Sequence, residues 1–416
     1  MNRKKLKLAI VVVLGVLLLA LPGFVACATE EEGSQKVIKI GVLADFTGVA
    51  ASAMQPTMQA MEDYLTKVVP DKNPLPGVKV VFRHFDTRLD YSRTTGGYQT
   101  LLAQNVDMMV IPNAVDREIL GNRFVENQMP SVNSQGLESL LTNEWMVNNQ
   151  STVQSQGEVA MQWIMDTWDY SKGVPKVGHL GFTLSSSEYY QQGIDRVIVA
   201  NPGKFTWVGT ERGLIGNTDW TSAINRLDKD GATDYIIVTV AGPMVSSFVS
   251  QARARGYDGA FISGNEGFPG FWDLVTGQTP ASQLYGCYYV AWWPWWNEDV
   301  PFINDAREYV DTYLPGDADA MLKASPAISG WALGIVIEDA IRRAVDDVGA
   351  ENVDSVALQQ ALAAIDMDVA GYGNPWTVTS NDNCIAWAQR AFEWKIDQEN
   401  WEPISGWYFP ISTPTD

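Results

Sequence analysis

The chain has 416 residues, of which 46% are hydrophobic and 19% charged, and a formal net charge of −20. That composition belongs to a globular protein with enough chain for two lobes. It excludes nucleic acid as a partner, because phosphate recognition needs clustered Lys and Arg, and it disfavours broad contact with anionic lipid.

The N-terminus opens on a basic cluster (Arg3, Lys4, Lys5, Lys7), continues through an uncharged apolar block over 8–21, and ends Phe24-Val25-Ala26-Cys27. Cations followed by a short apolar segment are the layout of a secretory signal. A small residue directly before a cysteine resembles the lipobox of bacterial lipoproteins, with Phe24 in place of the more usual Leu. The resemblance implies a signal peptide over 1–26, cleavage after Ala26, and a lipid on Cys27. The alternative is an uncleaved membrane anchor, since 8–26 is nearly long enough to span. Either way the rest of the chain works outside the cytoplasm. Residues 27–36 are polar and acidic and read as a flexible spacer. The other cysteines, Cys287 and Cys384, fit a disulfide in an oxidising compartment or two buried thiols.

From Lys36 onward, short β-rich runs alternate with helical ones. Strands are predicted at 37–43, 78–85, 107–111 and 131–132, with helices at 54–69, 92–103 and 118–128 between them. A polar, loop-like stretch at 148–156 interrupts the pattern, which then restarts. Helices at 159–168, 189–199, 221–228 and 245–255 alternate with strands at 177–182, 205–210, 235–240 and 260–263. An aromatic stretch at 288–297 precedes helices at 302–313 and 328–348 and a terminal β pair at 391–396 and 401–404. The alternation indicates the α/β class, with parallel sheets covered on both faces. Pro294 should bar a central strand, which places the run Trp292-Trp293-Pro294-Trp295-Trp296 at a hinge or rim. Its indoles suit packing between lobes, or a ligand with an apolar, aromatic or cationic body.

Three segments resemble the type I binding proteins of branched-chain amino-acid ABC importers: IKIGVLADFTG at 38–48, NTDWTSAINRLDKDGATDYIIV at 217–238 and SSFVSQARARGYDGAFISGNEG at 246–267. The resemblance runs from Lys36 to the C-terminus. It implies two Rossmann-like α/β lobes with parallel sheets joined by a three-crossover hinge, the crossovers lying near Asn149, Val290 and Gly371. The first lobe would then comprise 37–149 plus 291–370, and the second 150–290 plus 371–410. It further implies an extracytoplasmic monomer, held to the membrane by its lipid, that closes on a small molecule and delivers it to an ABC permease. A receptor passing ligand occupancy to a membrane partner is the alternative within the same fold.

The resemblance also nominates ligand-binding residues. Asp45 and Thr47 follow the first strand at the cleft edge, although Thr47 suits a helix cap equally well. The third-strand loop reads Pro112-Asn113-Ala114-Val115-Asp116-Arg117, without the hydroxyls that in this family hold a ligand carboxylate. The next loop, Asn133-Ser134-Gln135-Gly136, retains one. Asn113, Ala114, Asn133 and Ser134 are the candidates here. Arg117 offers a bidentate carboxylate contact, or else a salt bridge to Asp116, Glu118 or Asp86. In the second lobe Tyr190, or its neighbour Tyr189, falls where the family has a cleft tyrosine. Glu266 matches a glutamate that pairs with a ligand ammonium, and Trp331 an aromatic that covers the side-chain pocket; a core anchor is the other reading of Trp331.

Enzymatic signatures are missing from the sequence: there is no G-x-S-x-G, H-E-x-x-H, P-loop or G-x-G-x-x-G. His84 and His179 sit in or beside predicted strands, and the acidic pairs look solvated. No cofactor or metal is expected; a hydrolase built on scattered carboxylates is the remaining enzymatic alternative.

Overall fold

The computed structural model describes residues 35–264, 267–316 and 318–412. The signal segment, Cys27 and Glu266 lie outside the described residues.

β1 (Lys36–Ala44) is the centre of the first sheet. β2 (Val78–Asp86) pairs with it on one side and β3 (Met108–Val110) on the other, and β4 (Ser131–Asn133) and β5 (Met146–Asn148) extend that side, all parallel. Helices α1 (Ala51–Asp63), α2 (Thr94–Ala103) and α3 (Ala114–Leu120) follow the first three strands. Cover on both faces explains why β1 is apolar throughout its C-terminal half, rather than alternating. β5 escaped the sequence reading because three residues are too few to show a period.

The second sheet repeats this plan. After α4 (Val153–Thr167) come β6 (Lys176–Phe182), α5 (Ser185–Ala200), β7 (Thr206–Gly213), α6 (Thr221–Leu227), β8 (Tyr235–Val238), α7 (Pro243–Ala254), β9 (Ala260–Ser263), α8 (Trp272–Gln278) and β10 (Cys287–Ala291). The parallel order is β7-β6-β8-β9-β10, matching β2-β1-β3-β4-β5 strand for strand.

From β10 the chain returns to the first lobe through α9 (Pro301–Tyr313) and α10 (Pro326–Val348), and α11 (Ser355–Ala363) packs on α10. α10 crosses α1 so closely that a Cβ on Gly330 would lie 2.0 Å from the Thr57 carbonyl oxygen. β11 (Asp366–Met367) and β12 (Trp376–Thr377) form a small ladder of their own. The chain then stays beside the first sheet, with Asn383 donating to Leu141 and Ile385 to Asn148, both at 3.0 Å. It reaches the second sheet only at β13 (Arg390–Lys395), which runs antiparallel to β10 and is followed by β14 (Asn400–Pro403). The third crossing therefore lies between Ile385 and Arg390, not near Gly371. Gly371, at φ 101°, makes a turn inside the first lobe.

Two expectations change at the crossings. The polar stretch at 148–156 is a loop only in part, since Asn148 ends β5 and 153–156 open α4, and it is buried: Asn148, Asn149, Gln150, Ser151 and Thr152 are each at most 1% exposed. They bond sideways instead. Gln389 donates to both Ser151 and Ser155 at 2.9 Å, and Asn148 donates to Asn383 at 2.5 Å. The aromatic run begins inside a central strand, because Pro294 falls after the end of β10 and costs the ladder nothing. Trp292, Trp293, Trp295 and Trp296 are all buried; Trp295 donates to Asn400 at 2.9 Å and Trp296 to the Ala324 carbonyl at 2.8 Å. Cys287 and Cys384 are buried free thiols on different sheets. Among the described residues no helix is long and apolar enough to cross a membrane.

The α1–α10 crossing gives a direct check. Gly330→Ala should lower the melting temperature by the equivalent of about 1–3 kcal/mol, the usual cost of overpacking, because the blocking atom is backbone and cannot rotate away. Thermal unfolding followed by circular dichroism measures it.

Candidate functional site

Strand order reverses between β1 and β3 in the first sheet and between β6 and β8 in the second. At such a point the connections leave opposite faces of the sheet and open a crevice beyond the carboxyl ends of the strands. Here both crevices open on one cavity of about 110 Å³. Ala50 follows β1, Pro112, Asn113 and Ala114 follow β3, and Ser134 and Gln135 follow β4. From the other side, Phe182 ends β6, Leu184 and Ser186 follow it and Ala241 follows β8, while Ser325, Pro326 and Ser329 come from the start of α10.

Helices α1, α5 and α10 all begin at this cavity, and none has a side-chain cap hydrogen bond at its N-terminus. The first N–H groups of a helix have no intrahelical partner and carry partial positive charge. The hydroxyls of Ser134, Ser186 and Ser325 line the same space, in residues at most 9% exposed, and make no hydrogen bond among the described residues. Most of the remaining wall is apolar, and no described lining residue is charged. The cavity thus offers hydrogen-bond donors and a weakly positive field in an apolar enclosure. It suits a solute with an apolar body and a compact acceptor or anionic end.

The lobes also touch across the cavity's edge. Glu118 on α3 accepts hydrogen bonds from Tyr189 and, at 3.0 Å, from Ser185, both on α5. Arg196, further along α5, pairs with Glu138 of the first lobe and with Glu158 on α4.

The nominated residues separate into two groups. Asn113, Ala114 and Ser134 line the cavity; Asn113 also caps α3, its Oδ1 accepting from Val115 N at 2.9 Å. The others that are described lie elsewhere. Asp45 is buried and accepts from the backbone of Gly48 and Ala50, shaping the turn into α1. Thr47 donates to Asp86 at 2.5 Å on the exposed side of that loop. Asn133 hydrogen-bonds inside the sheet with Ser131. Tyr190 is buried under the first turns of α5, its ring 5.8 Å from His179. Trp331 points to the far side of α10, edge-on to Tyr64 at 4.6 Å and beside Tyr309 at 5.1 Å, so it anchors the core. None of Trp292–Trp296 lines the cavity. Phe182, Ser186 and Ser325 were missed, although the end of β6 and a proline at the first position of a long helix were readable signals.

Burial sets the protonation chemistry around the cavity. Arg117 is fully buried and forms no salt bridge among the described residues: its Nη1 donates to Asn148, and its Nη2 has no partner among them. Loss of hydration lowers its pKa to about 10. Beside it, burial raises the Asp116 carboxyl to about 6, with Thr94 donating to one oxygen. His179 hydrogen-bonds Gln191 at 2.7 Å and Thr239 at 2.9 Å. Burial first, and then the Arg212 cation, push its pKa down to about 3. Among the described residues no cluster has the side chains to hold a metal ion.

His179 makes an acid-stability prediction. Its folded pKa of about 3 lies below the ordinary 6.5, so between those values the unfolded chain binds a proton that the folded one refuses. The contribution is complete above about pH 6.5 and is lost as pH falls toward 3. His179→Gln, which stays neutral, should flatten the fall in melting temperature between pH 7 and pH 4 relative to the wild type. Parallel slopes for the two proteins would contradict a neutral buried imidazole.

The whole-chain comparisons agree on one architecture. The structure superposes on a branched-chain amino acid ABC transporter protein from Thermus thermophilus with bound valine, at TM-score 0.77 and 17% identity over 91% of this chain and 98% of that one. A fatty acid ABC transporter substrate-binding protein from Thermomonospora curvata gives 0.76 and 19% over 90% and 92%. A solute-binding protein from R. palustris in complex with benzoate gives 0.73 and 14% over 90% and 97%. A sequence comparison with curated proteins returns no match. At these identities the structural likenesses establish the fold. The profile of the periplasmic binding protein family matches residues 37–399, and with two matching α/β lobes opening on one cavity, this chain belongs to that family.

Proposed function

We propose that this protein is the solute-capturing component of an ABC importer, working outside the cytoplasm and passing a small molecule to a permease. The observation that carries the reading is the convergence of two switch-point crevices, one per lobe, on a single cavity supplied with uncapped helix starts and unbonded hydroxyls. Family membership supports the extracytoplasmic location. A hinge crossed three times lets two half-sites close on one molecule and remove it from water.

At about 10–15 Å³ per water-sized group, the cavity of about 110 Å³ has room for roughly seven to eleven such groups. That is the size of an amino acid or a small aromatic acid. Valine and benzoate, bound by two proteins of the same fold, share an apolar body and one carboxylate, which is what the lining described above accommodates. The cationic alternative loses its support here, because neither the tryptophan run nor a described carboxylate lines the cavity. We assign Glu266 the role of meeting an ammonium group when the solute carries one.

A thermal-shift panel that pairs L-valine with isovalerate, and adds benzoate, amides and quaternary amines, tests this. Apolar monocarboxylates should raise the melting temperature; a solute at a hundred times its Kd stabilises by about 2.7 kcal/mol. Glu266→Gln should weaken only those members that carry an ammonium. If nothing in the panel shifts the melting temperature, the importer reading falls.

We further propose that the lipid on Cys27 holds the protein at the membrane, since the acidic surface is a poor match for anionic headgroups. The wild type should enter the detergent-rich phase on Triton X-114 partitioning and Cys27→Ala the aqueous phase. Equal partitioning of the two would leave the lipid without a role.

A further inference from the structure

The first crossing carries a side chain that solute binding by itself does not require. Gln150 is 1% exposed and lies between β5 and α4. With its nitrogen toward Ser134, the amide donates to the Ser134 carbonyl at 3.2 Å, and its oxygen accepts from Trp292 Nε1 at 3.3 Å and Ser329 Oγ at 3.1 Å. The opposite orientation keeps only the Ser329 contact, so hydrogen bonding selects the first.

The three partners are far apart in sequence and distinct in role. Ser134 and Ser329 line the cavity, one at the carboxyl end of β4 and the other in the first turn of α10. Trp292 is the first residue of the second crossing, directly after β10. The neighbours of Gln150 hold the third crossing: Asn148 bonds Asn383, and Ser151 bonds Gln389. One buried amide therefore joins two walls of the cavity to two of the three strands on which the lobes must turn. An apolar side chain of the same size would leave a buried carbonyl, hydroxyl and indole N–H without partners.

We infer that Gln150 is a positioning residue: it holds Ser134 and Ser329 in register with the crossings, so that the shape of the cavity and the geometry of the hinge change together. The assignment goes beyond the choice of solute, and its test uses none. A failure of the importer reading and a failure of this one are therefore separable.

Hydrogen–deuterium exchange on the full chain reads the coupling. Gln150→Leu should speed exchange at least about tenfold at three separate sites, 133–137, 290–296 and 325–331, while the amides of β8 remain as protected as in the wild type. Gln150→Glu supplies the control that packing alone would not follow. Protonated, its carboxyl can make the same three hydrogen bonds; ionised, it cannot donate to Ser134. Compared with wild type at the same pH, Gln150→Glu should match wild type at pH 5 and resemble Gln150→Leu at pH 9. Should Gln150→Leu fail to fold, the two pH arms of Gln150→Glu decide alone. Exchange that rises only at 149–152, rises uniformly through β8, or shows no dependence on pH in Gln150→Glu overturns the assignment.

Discussion

The structure depends on one constraint: three strands of backbone must pass between two sheets through a buried region. Buried polar groups are costly unless paired, and the first crossing carries a nearly unbroken polar run from Asn148 to Gln156. Asn148, Gln150, Ser151 and Ser155 are paired with the other crossings through Asn383, Trp292 and Gln389, whereas the buried Asn149 side chain has no hydrogen bond among the described residues. This cross-bonding aligns three segments that lie far apart in the sequence. The buried tryptophans of the second crossing lie beside this polar seam.

The cavity follows from the same arrangement. Because both sheets have the same strand order, both have a switch point, and the seam brings the two points face to face. What reaches the cavity is mostly backbone and small side chains: helix starts at Ala50, Leu184 and Ser325, with serines beside them. With no charged side chain among its described lining residues, this part of the wall offers dipoles and avoids the desolvation penalty of burying an ionised side chain. The groups that do ionise nearby are kept out of the cavity and are moved by burial toward their neutral forms, His179 and Asp116 among them. The two lobes also touch at the edge of the cavity, where Glu118 receives two hydroxyls from α5.

Much of the fold was legible along the chain, because parallel strands covered on both faces become apolar runs and their helices follow at regular spacing. β1, β6 and β8 were readable for that reason. The site was legible only in part. Asn113, Ala114 and Ser134 follow strands whose ends could be counted, and they line the cavity. Tyr190 and Trp331 were placed by resemblance on the right helices, but a helical turn decides which face a side chain takes, and both face the core. Gln150 fell in a polar, loop-like stretch near an expected crossover, but nothing in a polar nonapeptide announces which of its side chains are buried and what they bond.

By itself the sequence determined the class of fold, the number of lobes and the acidic character of the protein, because these depend on composition and on periodicity along a single strand or helix. Only the tertiary structure decided which residues meet at the cavity, that the third crossing lies beyond Ile385, and that the tryptophans are buried beside the second crossing without lining the cavity. Those outcomes depend on contacts between segments distant in sequence. Their geometry is set by how two sheets and a returning helix pack together, a property of the assembled chain that no local pattern encodes.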